Sequence, residues 1–132
     1  MFEKLFKSHR PQISSGTMLE ALRREAIAAQ AHHHYRHAIS LWVEVASHTL
    51  GDPVPSHRIG ELYVRLGQTH HAVRHLATAA QDYALCNQQA KAHAMRRLVE
   101  ELLPGFDWDD VPLAPILPNE AACTGPEPLA HR

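Results

Sequence analysis

Cysteine is almost absent from this chain: Cys86 and Cys123 are the only two in 132 residues. That is far too few for a disulfide scaffold. Long apolar runs are missing as well. No segment approaches the ~18 residues of a membrane span, and the start lacks the apolar core and cleavage site of a signal peptide. A reducing, cytoplasmic setting is the expectation. An excess of one charge is also lacking, since 13 Lys and Arg stand against 14 Asp and Glu, a net charge of −1. No global basic field exists of the sort that draws nucleic acid, so no such partner is expected. The usual catalytic signatures are absent: no Gly-rich phosphate loop, no G-x-S-x-G elbow, no H-E-x-x-H. Glu100-Glu101 and Asp109-Asp110 are adjacent pairs rather than carboxylates opposed across a cleft. Neither an enzymatic activity nor a cofactor is expected. Aromatic residues are few, at 6%. Ala, Leu, Arg and Glu are frequent, the composition of an all-α protein.

Against these absences stands one ordered stretch. It reads Ile59-Gly60-x-x-Tyr63-x-x-x-Gly67, then Ala72-x-x-x-Leu76-x-x-Ala79. Apolar and small residues at i, i+3 and i+4 mark two amphipathic helices. Gly67-Gln68-Thr69 ends the first and starts the second, Gly being the favoured terminator and Thr a favoured cap. Gly60 lies inside a helix, where Gly costs ~1 kcal/mol against Ala. Such a cost is tolerable where a neighbouring helix must approach too closely for a β-carbon. Thirty-four residues earlier, Gly60, Gly67, Thr69, Ala72, Leu76 and Ala79 become Ala26, His33, Tyr35, Ala38, Trp42 and Val45. Small falls on small and large apolar on large. A step of 20 forward gives Ala80, Tyr83, Asn87, Ala92 and Val99, with Pro104 beyond. A long helix from about Thr69 to Cys86 would then end one hairpin and begin the next.

This pattern resembles the tetratricopeptide (TPR) repeat, an antiparallel helix pair with a period of about 34 residues. The resemblance covers residues 18–104, with the family's Trp and some Gly positions substituted. It implies a short α-α solenoid of about five antiparallel helices and a role in docking other proteins. The chain divides into an amphipathic stub (1–16), a helical domain (17–104) and a Pro-rich acidic tail (105–132), extended or disordered. Thr17-Met18-Leu19-Glu20 reads as a capping box opening the first helix. Asp52 or Ser56 caps the third. Residues 1–103 hold 12 basic and 9 acidic side chains, whereas the tail sets Arg132 against five acids.

Stacked helices leave apolar ends that need caps. Phe2, Leu5 and Phe6 in front, and Phe106, Trp108, Val111, Leu113, Ile116 and Leu117 behind, are candidates. Alternatively Phe106-Asp107-Trp108-Asp109-Asp110 is a ligand motif or occupies the protein's own groove. Uncapped ends also leave self-association open. Membrane contact through Met1–Lys7 is not expected, because so short a helix is a weak anchor.

In TPR-like proteins the first helix of each pair lines the concave surface. By register, that points to a protein or peptide partner held by Arg23, Ile27, Gln30, His57, Glu61, Val64, Arg65 and Gln81. Ile27 and Glu61 stand where the family's carboxylate clamp wants Asn, so a chaperone-tail clamp is not expected. Histidine is the anomaly, at 12 residues. His33/His37 and His71/His75 are spaced i, i+4, which on a helix sets two imidazoles on one face as metal ligands. Two ligands do not close a structural site, so these four are weak metal candidates, and a histidine-rich metal-binding or metal-sensing protein is the alternative reading. Imidazole also changes charge between pH 5 and 8, which opens a response to acidity. Cys86 is expected to be a small core residue.

Overall fold

A computed structural model describes residues 15–111, and the described residues are all-helical, with no strand. Five helices follow one another: α1 (Ser15–Ala31), α2 (Tyr35–His48), α3 (Pro53–Arg65), α4 (Thr69–Leu85) and α5 (Gln89–Leu102). Among the described residues a 3-10 turn, Trp108–Asp110, comes after them. Each helix packs against its neighbours in sequence, as in a short helical solenoid. No described helix is long and apolar enough to cross a membrane.

Three of the four inter-helix turns are copies of one another. Gly67 has φ 76°, its N–H donates to the Val64 carbonyl, and Gln68 N–H donates to Tyr63 at 3.0 Å. His33 has φ 64°, with His33 N–H on Gln30 and His34 N–H on Ala29 at 2.8 Å. Asn87 also has φ 64°, with Asn87 N–H on Ala84 and Gln88 N–H on Tyr83 at 2.8 Å. All three are Schellman motifs, in which a left-handed residue lets two N–H groups return to orphan carbonyls. Their spacing reproduces both the 34- and the 20-residue steps of the sequence. The fourth turn is built differently. Gly51 takes φ 88°, and the Asp52 carboxylate accepts from Val54 N–H at 3.1 Å. Pro53, with no N–H to satisfy, starts α3.

The helix ends depart from the sequence expectation at two places. α1 starts at Ser15, so Thr17 and Glu20 lie within it and not at its cap. The N-cap of α4 is Gln68 and makes no side-chain cap bond, leaving Thr69 as the first helical residue. The wound Schellman turn before α4 already fixes its entry, which removes the need for a hydroxyl cap.

Burial follows the repeat. Ala26, Ala38 and Ala72 are 0% exposed, and Gly60 is buried. A β-carbon at Gly60 would stand 2.6 Å from Cγ and Cδ2 of Leu76 and 3.3 Å from the Ala72 carbonyl. The glycine is therefore required by the approach of α4. Two apolar clusters result. Ala26, Ala38, Trp42, Val45, Ile59 and Leu62 knit α1, α2 and α3. Val73, Leu76, Ala80, Tyr83, Met95 and Val99 join α4 to α5.

The packed body continues past Pro104. Phe106 and Trp108 lie against the α4–α5 cluster, Val111 is buried, and the Arg96 guanidinium sits 4.2 Å above the Trp108 ring. The first part of the tail is thus a cap on α5, as one of the two readings of Phe106, Trp108 and Val111 has it, and it is wound into a short 3-10 turn rather than extended. Phe2, Leu5, Phe6, Leu113, Ile116 and Leu117 lie outside the described residues.

Candidate functional site

On α3 the side chains spaced i, i+4 form one stripe: His57, Glu61 and Arg65. His57 Nε2 lies 3.1 Å from the Glu61 carboxylate, and Arg58 approaches the same carboxylate at 3.7 Å. A carboxylate only accepts, so Nε2 carries the proton of this bond. In the neutral ring Nδ1 then accepts from the Tyr83 hydroxyl of α4, 3.0 Å away. The hydrogen bond from His57 holds the Glu61 carboxyl below the usual carboxylate range, against the opposing effect of burial. Lys91 of α5 stands 5.7 Å from the centre of the Tyr83 ring. From the other side, Arg23 of α1 reaches Asp52, the cap of α3, at 4.0 Å. A polar line therefore crosses α1, α3, α4 and α5.

The expected partner-binding residues divide against this line. Arg23, His57 and Glu61 belong to it directly. Ile27 and Val64 are large apolar side chains left exposed, at 54% and 39%. Gln30 is half-buried near the end of α1. Arg65 ends the α3 stripe, but its guanidinium turns to α2, 3.4 Å from the Tyr35 hydroxyl and 5.8 Å from the ring centre. Gln81 stands apart. Two residues from Tyr83, it projects about 200° away around α4, and its Oε1 is buried without a hydrogen-bond partner.

Sequence reasoning gave four residues here no part in the site: Tyr35 and Tyr83, read as repeat positions, Asp52, rightly read as the cap of α3, and Asp82. Asp82 is 5% exposed and its Oδ1 has no hydrogen-bond partner. Burial, with the nearby charge of Asp52, pushes its carboxyl up to about 6. Its chain position gave one usable signal: a lone acid on an Ala-rich helix, 34 residues after the exposed His48.

The metal candidates are arranged otherwise than their spacing implies. His33 is the left-handed turn residue and α2 begins at Tyr35, so His33 and His37 share no helix face. His33 stacks on Tyr35 at 5.5 Å, while His37 faces Glu25 at 3.8 Å. His71 and His75 do share a face of α4, and both lie against Tyr63, at 5.0 and 5.6 Å. Among the described residues no three His, Cys, Asp or Glu side chains gather as a metal site would require. Cys86 caps α4, is half-buried and disulfide-bonded, and is not the core residue expected.

No family model, curated protein or solved structure matches this chain. What it can do rests on its own geometry.

Proposed function

We propose that the chain is a TPR-like interaction module without catalysis, an adaptor or assembly factor that holds a peptide or helix along its α1–α3 face. The observation that carries this reading is the threefold return of one turn geometry at His33, Gly67 and Asn87. Helix pairs joined by equal turns stack with a regular offset, and that offset leaves an extended docking surface. The surface combines exposed aliphatics, Ile27 and Val64, with ordered polar groups, Arg23, His57 and Glu61. A hydrophobic centre framed by fixed hydrogen-bonding groups suits a moderately charged peptide.

Affinity capture from the native cell tests it when run on three proteins: wild type, Ile27→Asp/Val64→Asp, and Arg97→Glu on the exposed outer side of α5. The expected outcome is a partner that is lost with the double variant and kept with Arg97→Glu. Equal capture by all three would overturn the groove. The setting proposed is cytoplasmic, and the thiol state of Cys86 tests it, because disulfides persist mainly in oxidising compartments. A thiol count on protein from the native cell, taken without reductant, decides the compartment question.

A further inference from the structure

Cys86 caps α4 and enters a disulfide. The chain holds 2 cysteines, so within one molecule its partner is Cys123. The bond closes a loop over residues 86–123 that contains α5 and the cap behind it. Cys123 lies outside the described residues, but the course of the chain towards it begins inside them.

After Leu102 the chain turns back on the body. Phe106 and Trp108 lie against the α4–α5 cluster, and Val111 is buried in it. The centre of the Trp108 ring stands 4.2 Å from the Arg96 guanidinium, and Arg96 precedes the end of α5 by about 9 Å at the helical rise. The chain has therefore come part of the way back towards the α4–α5 turn, where Cys86 sits. From Arg96 to the start of α5 only about 10 Å remain, whereas the residues between Val111 and Cys123 can span about 40 Å. Arg96 and Gln89 are exposed and two helical turns apart, on one flank of α5 that leads from Trp108 to the Cys86 turn.

The cap by itself is lightly held. Phe106 and Trp108 are half-buried, and Asp107 and Asp109 are exposed. A segment with so few buried contacts opens locally at low cost unless its far end is tied down. Cys86 is half-buried, so its sulfur is within reach of a small thiol. We propose that Cys86 and Cys123 form a redox pair: oxidation straps residues 112–123 back along α5 and locks the cap made by Phe106, Trp108 and Val111, and reduction releases both. The oxidant is a low-molecular-weight disulfide of the glutathione class. One cysteine thiolate attacks it, displacing one glutathione thiolate and leaving a mixed disulfide. The second thiolate attacks the protein sulfur of that bond and displaces the other glutathione. Two protein thiols are thereby oxidised, and one glutathione disulfide becomes two thiols. Reduction runs the same steps in reverse. A helical stack needs a cap on its last unit, so the redox state sets whether that unit is covered. The proposal does not depend on docking along α1 and α3.

Hydrogen exchange read by mass spectrometry tests it on the full chain, held in excess oxidised or excess reduced glutathione. The expected oxidised protein is a monomer with two hydrogens lost from its mass and no free thiol. Its amides at 106–111 should exchange at least about fivefold more slowly than in the reduced protein, while those of α2 change little. Cys123→Ser should exchange at the reduced rate over 106–111 and keep the far-UV circular dichroism of the wild type. Two free thiols in the oxidised buffer, a disulfide-linked dimer, or equal exchange at 106–111 in the two buffers would overturn the proposal. So would a bond that reduced glutathione opens only once the protein is unfolded in urea, since that is a fixed staple and not a switch.

Discussion

The α1–α2 and α3–α4 hairpins solve one packing problem with different residues. At the point of close approach the second hairpin sets Gly60 under Leu76. The first sets Ala26 at the equivalent place and Trp42 at the position of Leu76, both within one buried cluster. The first pair holds the greater volume, yet both small residues are fully covered. The repeat therefore preserves burial and helix direction, not dimensions. It also does not preserve polarity: Asp82, nearly buried on α4, corresponds to His48, exposed at the end of α2. A repeat read by residue size alone predicts the stack and misses the places where each hairpin is specialised.

The strongest way to break the comparison is to empty each hairpin. Trp42→Ala should cost about 3–5 kcal/mol and Leu76→Ala about 2–5 kcal/mol, from lost burial plus the cavity left behind. If the hairpins form one cooperative unit, each substitution lowers a single thermal transition seen by far-UV circular dichroism. Two separated transitions in Trp42→Ala, one of them unshifted, would show that α1–α2 melts alone and that the stack is not continuous.

Next in size is the buried acid that distinguishes α4. Its folded carboxyl titrates at about 6, against 3.8 for the free side chain. A raised acid binds its proton more tightly in the native state, so its contribution is greatest below the unfolded value. That contribution is lost as pH rises towards about 6. The difference corresponds to about 3 kcal/mol once both states are ionised. Asp82→Asn should therefore stabilise the protein at about pH 8 by up to that amount, less whatever an unpaired buried amide costs. The gain should vanish near pH 4. Urea melts of both proteins at the two pH values check the sign, and a variant destabilised at the higher pH would show that the carboxylate is paired there.

The helices and their order were legible because they depend on local chemistry. Gly67, the left-handed Asn87 and the Gly51-Asp52-Pro53 break each mark a turn by the backbone they permit. The small positions Ala26, Ala38 and Ala72 mark the inner faces by size. Two ends were misplaced: Thr17 and Thr69 look like caps, but α1 runs two residues further back and a Schellman turn fixes α4. The candidate site was legible only as a face. Arg23, His57 and Glu61 follow from helical register, whereas the Tyr83 hydroxyl on His57 and Arg65 on Tyr35 depend on how neighbouring helices are rotated about their axes. No spacing within one helix carries that rotation. Asp82 could be noticed as a lone acid on an Ala-rich helix, but its burial could not be read for the same reason, since it is decided by the next helix.

Gly60→Ala sharpens the comparison on a smaller scale. The new methyl should cost about 1–3 kcal/mol in overpacking against Leu76, partly offset by ~1 kcal/mol of helix propensity. In the first hairpin Ala26→Gly should lose about 2 kcal/mol, the sum of helix propensity and one buried methyl. Combining Gly60→Ala with Leu76→Ala should give less than the sum of the two losses, because the second substitution removes the atoms the first collides with. Additive losses would mean that the close approach of α4 is set elsewhere.

The smallest effect lies in the turns, where the two hairpins differ by a single side chain. His33 and Gly67 occupy the same left-handed position, at φ 64° and 76°. His33→Gly should relieve the β-carbon strain and gain about 0.5–1 kcal/mol, and Gly67→His should lose a similar amount. The stacked Tyr35 ring modifies this, since His33→Gly also removes a ring contact at 5.5 Å. A gain from His33→Gly at the low end of the range, with a full loss from Gly67→His, would assign a few tenths of a kcal/mol to that contact. His33→Asn separates the two contributions further, because Asn tolerates the left-handed region and brings no ring. If stability follows the order Gly, Asn, His, the left-handed backbone outweighs the ring contact at that turn, and if His exceeds Asn, the stacked Tyr35 ring is what keeps the imidazole there.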